Sequence, residues 1–242
     1  MTRYASYDAD TRQRRRHPLR IVIIVLIVII GLLVAADFAA RAFAENKAAS
    51  EIQQQGFPKK PSVDIEGFPF LTQVLARNFK TIKVSTTDIK EGPLEIAAID
   101  ATADGVHLNS GFSGGTITTV NGTATVTFPA LANAMTSEAG PLGQLANAGL
   151  TLSSAGSDEV KATLNLVVTS GTAVWRVTRT GTNNLNIALV SSGGIASELI
   201  SPLSNINVRL PSLPLGLKIQ SVSVTPTGLV ALVTGQDVSF GS

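Results

Sequence analysis

A serine in a glycine-rich segment has the setting closest to a catalytic motif. Residues 111–115 read GFSGG, which fits the G-x-S-x-G pattern of α/β-hydrolases with Ser113 as the nucleophile. That motif needs a strand, a sharp turn and then a helix, and it needs a histidine later in the chain. Here Thr116–Val120 is rich in β-forming residues and no histidine follows Ser113. We therefore interpret the segment as a glycine-rich loop before a hairpin, with no catalytic residue.

Ligands for a metal ion are scarce. The chain has two histidines, His17 and His107, and no cysteine, so the nitrogen and sulfur ligands of an ordinary zinc or transition-metal site are lacking. No Walker A phosphate-binding sequence occurs. The acidic residues are scattered over predicted turns and polar strand faces, so none stands out as a glycosidase pair. We predict no metal, no cofactor and no enzymatic activity.

The longest apolar segment predicts on which side of a membrane the rest of the chain lies. Ile21–Ala36 is a run of sixteen uncharged, almost wholly aliphatic residues. As a helix it would be about 24 Å long, close to the thickness of a bilayer's hydrocarbon core. Five arginines lie in the nine residues directly before it, from Arg12 to Arg20, and positive charge beside a membrane segment stays in the cytoplasm. The sequence predicts a basic cytoplasmic tail (1–20), a transmembrane signal anchor (21–36) and an extracytoplasmic domain (37–242).

A cleavable secretory signal is the alternative interpretation of the same segment. Ala42-Phe43-Ala44 has the small-x-small form of a cleavage site, so that cleavage after Ala44 would release the domain. The apolar run is at the upper limit of a signal peptide's apolar region, about 7–15 residues. Eight further residues lead from its end to Ala44. We favour an uncleaved anchor, and both interpretations export the domain.

Positive charge is concentrated in the N-terminal tail. Six of the 19 lysines and arginines lie in the first 20 residues, and from Asp37 onward 13 basic residues face 15 acidic ones. The arginine cluster adjoins a membrane segment and lacks the interleaved aromatics of a nucleic-acid surface. We predict no nucleic-acid partner. Without cysteine, the exported domain must be stabilised by its core and not by disulfides.

Hydrophobic periodicity predicts the elements that follow the membrane segment. Asp37–Gln55 is alanine-rich and continues the membrane helix, with Gly56 and Pro58 as stop signals. The patterns beyond it predict a strand, a short helix and a pair of short helical pieces, at Ser62–Ile65, Leu71–Arg77 and Pro129–Leu150 respectively.

From Phe79 onward, alternating apolar and polar residues predict antiparallel strands with one wet face. The alternation is clearest in Thr123–Phe128. The Asn121-Gly122 dipeptide before it predicts a type I′ hairpin turn back to Thr116–Val120. Late in the chain, the phase of the apolar residues changes near Gln220-Ser221, which predicts a β-bulge in a strongly curved sheet.

Two apolar runs are broken by prolines and cannot be regular helices. The first is Gly67-Phe68-Pro69-Phe70-Leu71, the GFPFL segment, and the second is Leu210–Leu217, the LPSLPLGL segment. Burying a leucine or phenylalanine contributes about 1.5–3 kcal/mol in a closed core or in a lipid groove alike. The free energy of burial therefore does not distinguish between two interpretations, namely buried turns that close the end of a core and a lipid-facing lining.

These segments carry a resemblance to a known family. The order of basic tail, membrane segment, alanine-rich helix and Val63–Gln73 resembles the LmeA-like phospholipid-binding family of actinobacterial cell envelopes. The LPSLPLGL segment and the residues after it match that family's C-terminal pattern at Val222–Val224, Thr227–Leu229 and Gly235–Val238. The resemblance covers roughly residues 37–242.

The resemblance implies an α+β fold like that of the tubular lipid-binding proteins, with a highly curved antiparallel β-sheet wrapped around a long helix. It implies a phospholipid or glycolipid ligand, with phosphatidylinositol-type lipids and assembly of lipomannan-type lipoglycan as its setting. It supplies no catalytic set. Its motif positions are hypotheses here: lipid contacts at Phe68, Phe70, Leu71, Leu213 and Leu215, and structural positions at Gly67, Pro69 and Pro214.

The function predicted from these observations is lipid handling at the plasma membrane. A non-enzymatic, membrane-anchored domain would hold or move a phospholipid or glycolipid near the outer face of the membrane. The tether raises the local concentration of the domain at the bilayer without strong surface charge. The alternatives are a scaffold that docks an envelope glycosyltransferase, and an envelope hydrolase with a site that sequence does not reveal.

Overall fold

A computed structural model describes residues 18–54, 58–91, 94–137, 149–165, 170–181, 184–195, 200–201, 204–209 and 213–241. The helices within these ranges are α1 (Pro18–Gln54), α2 (Phe70–Ala76) and α3 (Phe128–Ser137), with a short 3₁₀ helix at Pro214–Gly216. The strands are β1 (Ser62–Glu66), β2 (Asn78–Glu91), β3 (Leu94–Leu108), β4 (Gly115–Thr127), β5 (Leu150–Ser154), β6 (Glu159–Asn165), β7 (Ser170–Arg179), β8 (Asn184–Gly193), β9 (Asn205–Arg209), β10 (Lys218–Val224) and β11 (Gly228–Phe240).

One helix joins the apolar run to the domain without a break. α1 contains Ile21–Ala36 and continues to Gln54, so the predicted helical extension beyond the membrane segment is confirmed. Among the described residues, this is the one helix long and apolar enough to cross a membrane. Its apolar half is exposed apart from partly buried Val34, whereas its second half is wholly or partly buried at positions 37, 40–41, 44–45, 48–50 and 52–53. That spacing is typical of a helix that packs one face on a core.

Six strands form an antiparallel sheet in the order β1-β2-β3-β4-β11-β10. Its register aligns one apolar row across five strands, namely Ile65, Ile82, Ala103, Val120 and Gly235. Residues in one row point to the same side of a sheet, and neighbours along a strand point to opposite sides. One face of this sheet is therefore apolar, and along β4 the other face carries threonine and asparagine.

An apolar cluster at the start of β4 fastens α1 and α2 to this sheet. Phe70, Phe79 and Val106 are buried there, and Ala40 and Ala44 of α1 pack against them. Alanine side chains let the helix axis approach the sheet closely. The alanine-rich half of α1 is therefore part of the domain core.

The other five strands form a second antiparallel sheet, in chain order from β5 to β9. Phe128, just after β4, packs with Val160, Val177 and Val224 and so joins the two sheets. The connection between β5 and β6 reinforces this junction. Its carbonyl oxygens accept backbone hydrogen bonds from Val177 and Val224, both at 2.8 Å.

The predicted α+β class is confirmed. A long helix is followed by antiparallel sheets, and the described strands do not close into a barrel. The strand at Ser62–Ile65 and the helix at Leu71–Arg77 are present as β1 and α2, within one residue of their predicted ends. The first of the two helical pieces predicted in Pro129–Leu150 is α3, and the second falls outside the described residues. The predicted bulge is confirmed as a register shift between Ile219 and Ser221.

The predicted hairpin turn at Asn121-Gly122 is wrong, because β4 runs straight through it. Asn121 pairs with Thr102 on one side and with Thr234 on the other, and Gly122 pairs with Ala101 and Val233. Two complete ladders fix the backbone more strongly than the turn preference of a dipeptide. The alternation of apolar residues also continues in phase through positions 120, 122 and 124, as a single strand requires.

Candidate functional site

The junction between α1 and α2 is built on one buried carboxylate. Asp37 directly follows the apolar run and is only 4% exposed. Its Oδ2 accepts a hydrogen bond from the N–H of Phe70 at 2.8 Å, and its Oδ1 accepts one from the N–H of Leu71 at 2.7 Å. These are donors of the first turn of α2, which have no partner within that helix. A carboxylate from a distant segment thus caps α2, and its negative charge interacts favourably with the positive end of the helix dipole.

Two further charged residues on the same face of α1 hold the edge of the sheet. Arg41 donates through Nε to Glu45 at 2.7 Å and through Nη2 to Asp64 of β1. Glu45 also accepts a hydrogen bond from the N–H of Ile65 at 2.9 Å, which satisfies a backbone donor on an edge strand. The hydrogen bond to Glu45 and the adjacent charges raise the pKa of Arg41, so it remains a cation.

The GFPFL segment forms the turn between β1 and α2. Gly67 has φ 105°, a left-handed conformation that favours glycine. A Cβ at this position would lie 2.8 Å from Nε2 of Gln73. Buried Gln73 crosses the turn, since its Nε2 donates to the carbonyl of Glu66 and its Oε1 accepts from the N–H of Lys80. Pro69 follows a cis peptide bond and precedes α2.

The apolar side chains of this segment separate into two environments. Phe70 is 4% exposed and lies 6.1 Å from Phe79, centroid to centroid, within the core. Phe68 and Leu71 are exposed, and the ring of Phe68 stacks on Phe38 of α1 at 6.0 Å. The segment therefore both anchors α2 in the core and presents apolar surface beside the end of the apolar run in α1.

The LPSLPLGL segment lies before β10, and its first residues, 210–212, are outside the described part of the chain. Leu213 is half-buried, and Leu215 is 49% exposed with φ 60° inside the short 3₁₀ helix that contains Pro214. Leu217 fills the space above Gly235. A Cβ on Gly235 would lie 2.5 Å from its Cδ2. A glycine in β11 is what lets the segment lie against the apolar face.

The two motif segments are not adjacent. The GFPFL segment follows β1 and the LPSLPLGL segment precedes β10, and these strands are the two opposite edges of the six-stranded sheet. The register places both segments toward the same end of the sheet, where β2 and β4 begin and β3 and β11 finish. The apolar face of the sheet spans the distance between them.

The apolar face carries small and aliphatic side chains in its middle rows. Val84, Ala101, Gly122 and Val233 form one row, and Thr86, Ile99, Ala124, Ala231 and Val222 form the next. Most of these residues are half-buried. The hydroxyl of Thr86 is buried and lacks a hydrogen-bond partner among the described residues. Half-buried methyl groups are a suitable lining for an acyl chain.

The opposite face carries a polar groove of about 470 Å³ next to the LPSLPLGL segment. Hydroxyl, amide and ammonium groups dominate its lining, which suits a hydroxylated group better than a hydrocarbon chain. The residues that line it are Thr119, Asn121, Gly216, Lys218, Gln220, Thr234, Gly235 and Gln236.

Ser113 lies in a tight turn and not at a nucleophile elbow. Asn109 accepts a hydrogen bond from its N–H at 3.1 Å and donates to its Oγ at 3.2 Å. β4 follows the turn where the hydrolase motif needs a helix. The exposed ring of His107 places Nδ1 3.0 Å from the carbonyl of Gly105. In the described residues, no group of three acidic or histidine side chains could hold a metal ion.

Sequence reasoning missed Asp37, Arg41 and Glu45. Their spacing of four residues, which puts them on one helix face, was visible in the sequence. Their partners lie some 20 to 34 residues away, however, and no local pattern links the two sets. An aspartate directly after an apolar run was the available signal, because a charge there must find water or a partner.

Comparison with known proteins identifies the family of this chain. A family model described as LmeA-like phospholipid-binding matches residues 35–234. A search of curated proteins and a search of solved structures each found no significant match. The matched region begins at the end of the apolar run and contains both motif segments and every described strand except the last six residues of β11. The chain belongs to the LmeA-like phospholipid-binding family.

Proposed function

We propose that this protein is anchored in the plasma membrane by α1 and binds a phospholipid or glycolipid with its extracytoplasmic domain, residues 37–242. The family match over residues 35–234 is the observation that carries the lipid class. The basic tail before the apolar run supports a cytoplasmic N-terminus. The family is a lipid-binding one, which supports a role in holding a ligand without transforming it.

The contacts of α1 support an uncleaved anchor. Cleavage after Ala44 would remove Asp37, which caps α2, and Arg41, which binds β1. It would also cut the helix where Ala40 and Ala44 pack against the core. Residues before the cleavage position are thus structural parts of the domain.

We assign the acyl chains to the apolar face of the six-stranded sheet. Burial of methylene groups there would be favourable by about 0.8 kcal/mol each. Phe68, Leu71, Leu213 and Leu215 would contact the lipid as it enters at the end of the sheet where both motif segments lie. Phe70 supports this surface from within the core, and Gly67, Pro69 and Pro214 shape the two segments.

We assign the head group to hydroxyl-rich lipids of the phosphatidylinositol type, in the setting of lipomannan-type lipoglycan assembly. The polar groove beside Gly216 supports this assignment, because amide and hydroxyl side chains can bind the hydroxyls of an inositol or a sugar. Lys218 lies on the edge strand β10 and supplies a cation for the phosphate of a lipid whose acyl chains pass around that edge to the apolar face. An envelope glycosyltransferase is a proposed partner that would use the presented lipid.

Native mass spectrometry of the full chain, extracted in detergent, tests the proposal. Delipidated protein is mixed with vesicles of phosphatidylcholine that contain phosphatidylinositol, and bound lipid is identified after re-extraction. Ala124→Trp should abolish the bound lipid, because the indole fills the middle of the apolar face. Thr125→Trp is the matched control on the opposite face of the same strand and should retain it.

Lipid held loosely around α1 would be the same in both variants, so their difference isolates the domain site. Equal lipid content in the two variants would contradict the assignment to the apolar face. Absence of any bound phospholipid in the unmodified chain would overturn lipid binding altogether and favour the scaffold function.

A further inference from the structure

The short helix α2 presents apolar side chains to the outside. Phe70 and Gln73 are buried on its inner side. Leu71 and Leu75, four residues apart and therefore on one face, are exposed, and Leu75 is 84% exposed. Phe68, just before the helix, extends the same apolar surface. Exposure of leucine side chains to water is energetically unfavourable, so we expect this apolar face to be covered by a binding partner.

The position of α2 along α1 is fixed by direct bonds. The N–H groups of Phe70 and Leu71 bind Asp37, the first residue after the apolar run. The stacked rings of Phe38 and Phe68 hold the preceding residues at the same level. When Ile21–Ala36 fills the hydrocarbon core, the first turn of α2 must therefore lie at the boundary between that core and the lipid head groups.

The connection between β3 and β4 adjoins α2 at its other end. The N–H of Leu108 donates to the carbonyl of Arg77 at 2.9 Å, which places this connection beside the C-terminus of α2. Phe112 at its tip is exposed. Arg77 and Lys80 are also exposed here, so cations flank the apolar side chains. Apolar residues next to basic ones are typical of surfaces that enter an anionic membrane interface.

We propose that Phe68, Leu71, Leu75 and Phe112 form a membrane-seating rim, which inserts into the leaflet from which α1 emerges. The rim rests on the anchor part of the proposed function, since its level is defined by α1. It would hold the open end of the six-stranded sheet against the bilayer, so that a lipid passes between membrane and apolar face without crossing water.

The absence of cysteine from the chain allows a clean test by single labelling. Leu75→Cys and, as the matched control, Val190→Cys each carry an environment-sensitive nitrobenzoxadiazole label on the full chain. Val190 is exposed on β8 of the five-stranded sheet. Both proteins are reconstituted in vesicles of phosphatidylethanolamine and phosphatidylglycerol, with a fraction of the lipids spin-labelled just below the ester group.

In vesicles, the label at position 75 should emit at shorter wavelength than the same label on free cysteine in buffer. Spin-labelled lipid should quench the label at position 75 at least several-fold more than the label at position 190. Equal quenching at the two positions overturns the rim. Both side chains are exposed, so the substitutions leave the core intact, and matching thermal unfolding of the labelled proteins checks this.

The outcomes separate the rim from lipid binding. Strong quenching at position 75 without bound phospholipid supports the rim and overturns the lipid-binding proposal. Equal quenching at both positions, with bound phospholipid retained, overturns the rim alone. If the chain fails to float with vesicles in a density gradient at alkaline pH, α1 is not inserted in the bilayer. That result overturns both the anchor and the membrane-seating rim.

Discussion

Asp37 accepts a 2.8 Å hydrogen bond from the backbone N–H of Phe70, and this contact joins the end of the apolar run to the first turn of α2. Both residues are 4% exposed. A buried carboxylate at a helix N-terminus gains from two charge-assisted hydrogen bonds and from the helix dipole. The domain is thereby held at a defined position relative to the apolar run and is not joined to it by a flexible linker.

Replacement of Asp37 tests this junction. Asp37→Ala leaves two backbone donors of α2 without an acceptor, which should lower the free energy of unfolding by about 1–3 kcal/mol. Asp37→Asn keeps one acceptor oxygen and should cost less. Urea unfolding of the full chain in detergent, followed by fluorescence of its single tryptophan, Trp175, measures both. Asp100→Ala, at an exposed position on β3, is the control and should change little.

The N-terminus of the mature protein tests retention of α1. The intact mass of the protein from membranes should include the residues before Ala44, because Asp37 and Arg41 are bound within the domain. Ala42→Leu removes the small-x-small pattern at an exposed position and should leave the mass otherwise unchanged. A wild-type protein that begins at Glu45, and an Ala42→Leu protein that does not, would show that the segment is a cleaved signal.

Gly235 tests the seating of the LPSLPLGL segment. The Cβ of Gly235→Val would lie 2.5 Å from Leu217 Cδ2 and 2.8 Å from Val238 Cγ2, and overpacking of this kind should cost about 1–3 kcal/mol. Gly193→Val is the matched control in another strand, since no atom lies within 4 Å of its Cβ position. Combining Gly235→Val with Leu217→Ala should restore part of the loss. Thermal unfolding temperatures are compared for the unmodified chain, the two single glycine variants and the double variant. A double variant no more stable than Gly235→Val would contradict the contact between Gly235 and Leu217.

The ion pair between Lys59 and Asp88 allows a test of how acid changes the stability of the domain. Lys59 donates to Asp88 of β2, and this hydrogen bond, with a second from Thr87, lowers the pKa of Asp88 from its ordinary value of 3.8. The contact should therefore be complete above about pH 4 and be lost as pH falls through the lower folded pKa. The unmodified chain should unfold at higher temperature than Asp88→Asn at neutral pH, and the difference should vanish in acid. Lys59→Met should abolish the same difference, and a normal pKa for Asp88 by NMR titration would refute the pair.

Local patterns predicted the elements wherever the chain's own neighbours decide the outcome. The length and polarity of Ile21–Ala36 and the alanine-rich continuation after it were enough for one unbroken helix. The change of phase near Gln220 was enough for the bulge. At Asn121-Gly122 the local signal failed, because pairing with β3 and β11 on both sides outweighed it.

The motif segments show the same division. Their prolines and glycines exclude regular helix, and their resemblance names a lipid-binding family that the match over residues 35–234 confirms. Sequence treated Phe68, Phe70 and Leu71 alike, whereas the fold buries Phe70 and exposes its two neighbours. These three side chains, at the end of the turn and the start of α2, point in different directions, and only the packing partners α1 and β2 select which one enters the core.

Composition, charge and periodicity thus sufficed for an apolar N-terminal helix and antiparallel strands without a recognisable catalytic motif. The α+β fold and the phospholipid-binding family followed from the resemblance carried by the two motif segments. Only folding brings Asp37 to Phe70, aligns the apolar row from Ile65 to Gly235, and places the GFPFL and LPSLPLGL segments at opposite edges of one sheet. The physical reason is that these contacts join residues far apart in the chain. Their energy depends on register and burial, which no window of neighbouring residues contains.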